Sequence, residues 1–239
     1  MMVIHKQLYM LGFKWAITLL LILMIMGVEA VAADDLLMPP SQPTIKDLGN
    51  NRYQVGNIEI DKSRGLFRVP GKIILTDPPL EFLAVTKGGQ KAYESLMELE
   101  ANAYEFNLAC ILIGLDAAHA KGPEHHFDPA AVDGDRVDMV IEWRQNSQLR
   151  SVAVAELLDE GEKSPQYPKS DWVYIGSRFT QDGRYLADLA GVLISFVHTP
   201  ESIIEHRAGV GLGNYGAVKG SDKVPTVGTA VTLVVTRGK

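Results

Sequence analysis

The stretch Glu124–Asp128 (EHHFD) holds a concentration of possible metal ligands. His125, His126 and Asp128 offer two imidazoles and a carboxylate, which suit zinc or a similar divalent ion. Adjacent histidines also need a further ligand that the fold brings close, and the sequence spacing does not supply one. The sequence contains no His-Glu-x-x-His helix, cysteine pair or calcium-binding loop. We therefore favour an exposed polar loop, with a metal site at these three residues as the alternative.

Other motifs point away from nucleotide binding and nucleophilic catalysis. Gly211–Gly216 (GLGNYG) matches the dinucleotide fingerprint G-x-G-x-x-G. That motif requires a helix directly after it, whereas residues 217–227 lack helical periodicity and contain Pro225. The nucleophile motif G-x-S-x-G is absent. We predict a loop at Gly211–Gly216 and no bound cofactor.

Two isolated polar groups lie in or next to apolar sequence. Cys110 is the only cysteine, so no intramolecular disulfide is possible. Its apolar surroundings predict a buried thiol that behaves as a small hydrophobe. Glu94 precedes the same apolar region, where a charge is costly unless it is paired. An ion pair or a helix cap is the expected role of Glu94.

The element expected to organise the fold is a helix at about residues 101–115 (ANAYEFNLACILIGL). Helical spacing places Tyr104, Leu108, Ile111 and Leu115 on one face, and the neighbouring face is apolar as well. A helix that is apolar almost all round belongs in a core. We therefore predict one principal buried helix.

Both ends of this helix carry local signals. Asn102 is a candidate N-cap, and Glu105 stands three residues later, as in a capping box. At the other end, either Gly114 as a C′ glycine or Gly122-Pro123 as a hard stop ends the helix.

Alternating apolar and polar residues predict about ten strands around the helix. Tyr53–Ile60 has the pattern of a half-buried strand, and Arg136–Trp143 with Leu149–Leu157 has that of a hairpin. Tyr185–Asp188 is expected to be a strand, and Pro200–Glu205 one helical turn. The predicted class is α+β, mainly β, with antiparallel sheets and the principal helix packed on a sheet face.

The first residues have the pattern of an export signal. Trp15–Val28 contains no charge, and the small residues up to Ala32 suit a signal peptidase. We expect a signal peptide at 1–32, a flexible linker at 33–51 and one domain at 52–239. Cleavage near Ala32 would place the protein in the periplasm or cell envelope. An uncleaved N-terminal anchor is the alternative, and it would be the only contact with a membrane.

The charge balance restricts the class of partner. The chain has 23 lysines and arginines against 29 acidic residues, a net charge of −6 at pH 7. A nucleic-acid partner would require a basic surface, so we expect none.

Several segments together resemble the YdjY-type domain, a domain of exported bacterial proteins. These are Gly56–Asp61, Glu81–Leu83, Lys91–Leu99, Leu108–Leu115, Gly134–Trp143 and Gly191–Ile204, in an order of elements that agrees over most of Gly56–Thr236. The family has no established activity, so the resemblance implies a domain type. Some relatives are linked with iron–sulfur proteins, but one cysteine cannot ligate such a cluster. Members often have His-Glu where this chain has Tyr93-Glu94, which argues against a histidine-based site there.

The sequence thus predicts an exported, non-enzymatic domain that binds an unknown partner in the cell envelope. The alternative is a metal-binding protein or metal-dependent enzyme that uses the loop containing His125 and His126.

Overall fold

The computed structural model describes residues 43–159, 171–211 and 217–238. The expected signal peptide, the first part of the linker and most of the Gly211–Gly216 motif lie outside these residues. The strands are β1 Ile45–Gly49, β2 Arg52–Val55, β3 Ile58–Asp61, β4 Leu66–Ile73, β5 Phe82–Thr86, β6 Ser95–Leu99, β7 Asp135–Gln145, β8 Gln148–Ala153, β9 Leu158–Asp159, β10 Trp172–Tyr174, β11 Val192–Ser195, β12 Ile204–His206, β13 Lys219–Gly220 and β14 Ala230–Arg237. The helices are α1 Ala103–Leu112 and α2 Leu186–Ala190, with short 3-10 turns at Ala92–Glu94 and Val154–Glu156.

Eight strands form a closed barrel in the order β4, β14, β7, β10, β12, β11, β5, β6, and pairing of β6 with β4 completes the ring. The pairs β5–β6 and β11–β12 are parallel, and the other pairs of the ring are antiparallel. The mainly β fold with one principal helix is confirmed, whereas the simple antiparallel sheet was wrong. Alternation along a strand shows which side chains face the core, but it does not identify the neighbouring strand or its direction.

The ring closes at a glycine in β4. The first half of β4 pairs with β3, and from Gly71 onwards the same edge pairs with β6. A Cβ atom on Gly71 would lie 2.4 Å from the carbonyl oxygen of Glu98, so only glycine admits this approach. The change of partner strand therefore occurs at Pro70-Gly71.

A three-stranded meander, β1–β2–β3, extends from β4 outside the ring. The strand β1 falls inside residues 33–51, so the expectation of a flexible linker was wrong for Ile45–Gly49. Asn50 and Asn51 adopt positive φ angles, which form the tight turn from β1 into β2. A second turn at Gly56-Asn57 divides the single strand expected at Tyr53–Ile60 into two.

The helix α1 begins and ends where its local signals predicted. Asn102 and Glu105 form the reciprocal hydrogen bonds of a capping box, and Gly114 follows the helix with a φ of 92°. Its core-facing side includes Phe106, whose ring meets that of Phe67 edge to face at 5.2 Å. The outward side was expected to be buried too, but Ile111 is 51% exposed. Complete burial of the helix was therefore a wrong prediction.

Two short segments differ from their predicted class. Tyr185–Asp188 was expected to be a strand, but it lies at the start of the one-turn helix α2, which Gly191 ends with a φ of 70°. Pro200–Glu205 was expected to form a helical turn, but its last residues belong to strand β12. Windows of four or five apolar residues fit either periodicity, so packing decides between them. Among the described residues, no helix is long and apolar enough to cross a bilayer.

Candidate functional site

The segment 122–131, which carries the predicted metal ligands, is fastened to the barrel by its backbone. The N–H of Phe127 donates to the carbonyl oxygen of His198 at 2.8 Å. In return, Nδ1 of His198 lies 2.6 Å from the carbonyl oxygen of Asp128. These reciprocal contacts fix the segment, which we call the His126 loop, beside the connection between β11 and β12.

The three predicted ligands share no partner. Nδ1 of His125 lies 3.1 Å from the carbonyl oxygen of His126, while Nε2 of His126 lies 3.1 Å from Oε2 of Glu81. The Asp128 carboxylate accepts backbone N–H bonds from Glu124 and Ala130, both at 2.9 Å. These backbone donors lower the pKa of Asp128. Within residues 43–159, 171–211 and 217–238, no group of three candidate side chains could hold a metal ion.

The partner of His126 belongs to a group of charged side chains at one end of the barrel, which we call the Glu81 cluster: Glu81, Lys91, Glu94 and His126. The carboxylates of Glu81 and Glu94 are each 4% exposed. Glu94 pairs with Nζ of Lys91 at 2.8 Å, which confirms the expected ion pair. The rings of Phe82 and His126 are 6.3 Å apart, and Nζ of Lys91 lies 5.7 Å from the centroid of the Phe82 ring.

The Glu81–His126 contact has a geometry that is compatible with proton transfer. A buried carboxylate orients the half-exposed imidazole of His126, as in sites that transfer a proton. Lys91 presents N–H donors at the surface, and the carboxylates that contact Lys91 and His126 stay buried. The sequence signalled the Glu94 pair through its apolar context, but nothing signalled Glu81, because Glu81 meets His126 only through the fold.

A second buried polar group lies around strand β12, and sequence reasoning did not single out its carboxylate, Glu205. Glu205 is fully buried, and its Oε1 accepts hydrogen bonds from the N–H of Thr199 at 2.9 Å and the hydroxyl of Ser202 at 2.5 Å. Burial raises the pKa of Glu205 well above its ordinary value. His198 is also fully buried, with Nε2 lying 3.1 Å from the carbonyl oxygen of His206. This group lies within the fold and offers no surface to a ligand.

The outward face of α1 forms the third feature, an apolar surface that we call the α1 surface: Tyr104, Leu108, Ile111, Phe179 and Leu189. Helical spacing puts the three α1 residues on one face. The buried ring of Tyr185 connects the helix to Phe179, with ring centroids 5.1 Å from Tyr104 and 5.0 Å from Phe179. Leu189 lies on α2, which packs against α1.

Comparison with known proteins gives a family. No curated protein and no solved structure matches the chain. The YdjY domain family model matches residues 58–236, from β3 to the last strand of the barrel. The chain therefore belongs to the YdjY domain family, as the order of its elements predicted.

Proposed function

We propose that this protein is an exported, non-enzymatic domain that docks a protein partner of the cell envelope through the α1 surface. The observation that supports the proposal is the outward face of the principal helix, where Ile111 is exposed and Tyr104 and Leu108 are partly buried. Export is supported by the pattern of the first 32 residues.

The exposed side chains of this surface are large. Phe179 is 62% exposed and Ile111 is 51% exposed. Single exposed apolar side chains are ordinary, but a contiguous group of aromatic and aliphatic side chains marks an interaction site. Aromatic residues are also enriched where binding energy concentrates in protein interfaces.

Hydrogen bonds hold the residues beneath the α1 surface in place. The hydroxyl of Tyr185, beneath Phe179, donates to the carbonyl oxygen of Gly176 at 2.8 Å. On the helix side, the hydroxyl of Tyr174 donates to Oδ1 of Asn107 at 2.7 Å. A surface that is already in its bound arrangement loses little conformational entropy on association, which favours binding.

A carboxylate beside the apolar residues specifies the charge of the partner. Asp188 precedes Leu189 and acts electrostatically on Tyr104, whose pKa it helps to raise after the larger effect of desolvation. Partial burial raises the pKa of Asp188, and no cation among the described residues offsets this effect. A lysine or arginine of a partner would offset that unfavourable burial. We therefore propose a partner segment that combines apolar anchors with a basic residue.

Site-specific photo-crosslinking in the native cell tests the proposal. A photoreactive amino acid at Ile111 should capture one envelope protein, and the same label at Leu149 should not. Leu149 is a matched control because it is 62% exposed but lies on β8, away from α1. The captured segment should contain apolar residues and a lysine or arginine.

A binding measurement then separates the outcomes. A synthetic peptide of the captured segment should bind the wild-type domain and bind Asp188→Asn more weakly. Ile111→Arg should abolish binding while the thermal unfolding temperature stays unchanged. Crosslinks only between two copies of this chain would indicate self-association in place of an envelope partner. Equal capture at Ile111 and Leu149 would overturn the proposal. The metal alternative gains no support from the geometry, because His125, His126 and Asp128 do not converge.

A further inference from the structure

A cavity of about 260 Å³ lies between the His126 loop and the segment that follows β10. Its wall includes the apolar residues Ala120, Pro123, Ile175 and Pro200 and the polar residues Ser177 and Arg178. Binding sites for small molecules combine apolar side chains with polar groups that fix the ligand's orientation, and this cavity contains both. This cavity is smaller than the usual drug-sized pocket, so its ligand must be small.

Arg178 is the cationic group of this cavity. Its Nη2 donates to the carbonyl oxygen of Glu124 at 2.8 Å, which holds the side chain against the His126 loop. Arginine has five N–H donors in a planar fork, and this bond uses one. In the described part of the chain no carboxylate pairs with Arg178, so its remaining donors are available to a ligand.

The backbone that presents Arg178 is strained. Gly176 and Ser177 have φ angles of 77° and 56°, and the second lies in a region that residues other than glycine rarely adopt. The hydroxyl of Ser177 stabilises this conformation by donating to the carbonyl oxygens of Pro200 and Glu201, at 3.2 and 3.1 Å. Such strain concentrates at binding sites, where surrounding contacts maintain it.

The His126 loop, which contributes Gly122 and Pro123 to the cavity wall, contains a strained residue as well. Phe127 in the His126 loop has a φ of 59°, a true outlier for a bulky side chain. The Arg178–Glu124 hydrogen bond joins these two strained segments. The cationic group of the cavity thus links two strained segments.

We propose that this cavity binds a small organic monocarboxylate, with its apolar body against Ala120 and Ile175 and its carboxylate on the guanidinium of Arg178. A planar guanidinium suits a carboxylate because two parallel N–H bonds reach its two oxygens. The side chains of Ala120 and Ile175 give a hydrocarbon body a contact that inorganic phosphate cannot make. The inference is independent of the α1 surface, so the failure of either proposal leaves the other standing.

Titration followed by NMR tests the site in the whole domain. Butanoate and benzoate should shift the backbone amide signals of Ala120 and Ser177 saturably, while 1-butanol and inorganic phosphate should not. Arg178→Gln should weaken carboxylate binding about tenfold or more, since a hydrogen bond to a charged group contributes roughly 1.5–3 kcal/mol. Arg184→Gln is the matched control because Arg184 is an exposed arginine on the same connection.

A second pair of variants tests the cavity itself. Ala120→Leu fills the cavity and should abolish binding, whereas Ala118→Leu, at an exposed position nearby, should leave it intact. The absence of a saturable shift with both carboxylates would overturn the proposal. Equal affinity of wild type and Arg178→Gln would overturn it as well, and tighter binding of phosphate than of butanoate would reject the apolar half of the site.

Discussion

Nε2 of His126 lies 3.1 Å from Oε2 of Glu81, and this contact joins the His126 loop to the residue that precedes β5. The pair is asymmetric, because the Glu81 side chain is 4% exposed and that of His126 is 37% exposed. A buried carboxylate depends on its partner far more than an exposed imidazole does. The two adjacent histidines of this loop therefore have different roles.

We predict that His126→Ala destabilises the domain and that His125→Ala does not. Loss of His126 leaves the Glu81 carboxylate buried without this partner, at a cost of about 1–2 kcal/mol after allowance for solvent at the exposed ring. His125 is exposed and its ring lies against the carbonyl oxygen of His126, so its loss should stay within about 0.5 kcal/mol. Urea denaturation of both variants measures the difference, and equal effects would contradict the assigned role of the Glu81–His126 contact.

The raised pKa of Glu205 predicts a pH dependence of stability. In the native state the buried carboxyl keeps its proton at pH values where the unfolded chain has already lost it. The free energy of unfolding should therefore fall as pH rises from the ordinary carboxyl range towards the raised native pKa. Glu205→Gln, which cannot ionise, should flatten this part of the profile. Denaturant unfolding at several pH values provides the measurement, and Glu59→Gln, at an exposed position on β3, should keep the wild-type slope.

Cys110 was predicted to be buried, and the structure confirms it. Burial raises the pKa of the thiol well above its ordinary value, which suppresses the reactive thiolate. A thiol reagent such as 5,5′-dithiobis(2-nitrobenzoate) should leave the native protein unmodified and react fully in denaturant. Rapid labelling under native conditions would mean that α1 opens readily.

The two sides of α1 should respond differently to truncation. Phe106 is fully buried against Phe67, so Phe106→Ala should cost about 3–5 kcal/mol. Ile111→Ala, on the outward face, should change stability by less than about 0.5 kcal/mol. Thermal and urea unfolding of the two variants measure the contrast. A large loss for Ile111→Ala would show that the face is covered, and the α1 surface would then be unavailable to a partner.

Local signals predicted local structure well. Asn102, Glu105 and Gly114 lie within one helix and its ends, so spacing alone was sufficient to place them. The hairpin of β7 and β8 could also be predicted, because Asn146 and Ser147 form its turn with positive φ angles. These features depend on neighbouring residues and not on the rest of the fold.

Features that depend on contacts between distant parts of the chain could not be predicted. Closure of the barrel depends on the approach of Gly71 to Glu98, and no pattern in either strand identifies the other. The same limit applies to Glu81, which reaches His126 only after the loop is fastened to His198. The apolar composition of α1 predicted a buried helix because hydrophobicity does not distinguish a core face from a docking face.

The last prediction separates the binding domain from the metal alternative. We expect that zinc binds the domain weakly, because only His126 and Glu81 of the candidate ligands are already adjacent, and the other two loop groups hold backbone partners. Recruiting His125 and Asp128 would break those contacts and order a further side chain, which costs free energy. A tight ligand at 100 times its dissociation constant stabilises a protein by about 2.7 kcal/mol. Added zinc should stabilise the domain by far less than that. The rise in unfolding temperature should be equal in wild type and in a His125→Ala/His126→Ala variant, each compared with its own metal-free baseline. Stoichiometric metal in purified wild-type protein, absent from the double variant, would establish the metal site and displace the binding domain as the leading function.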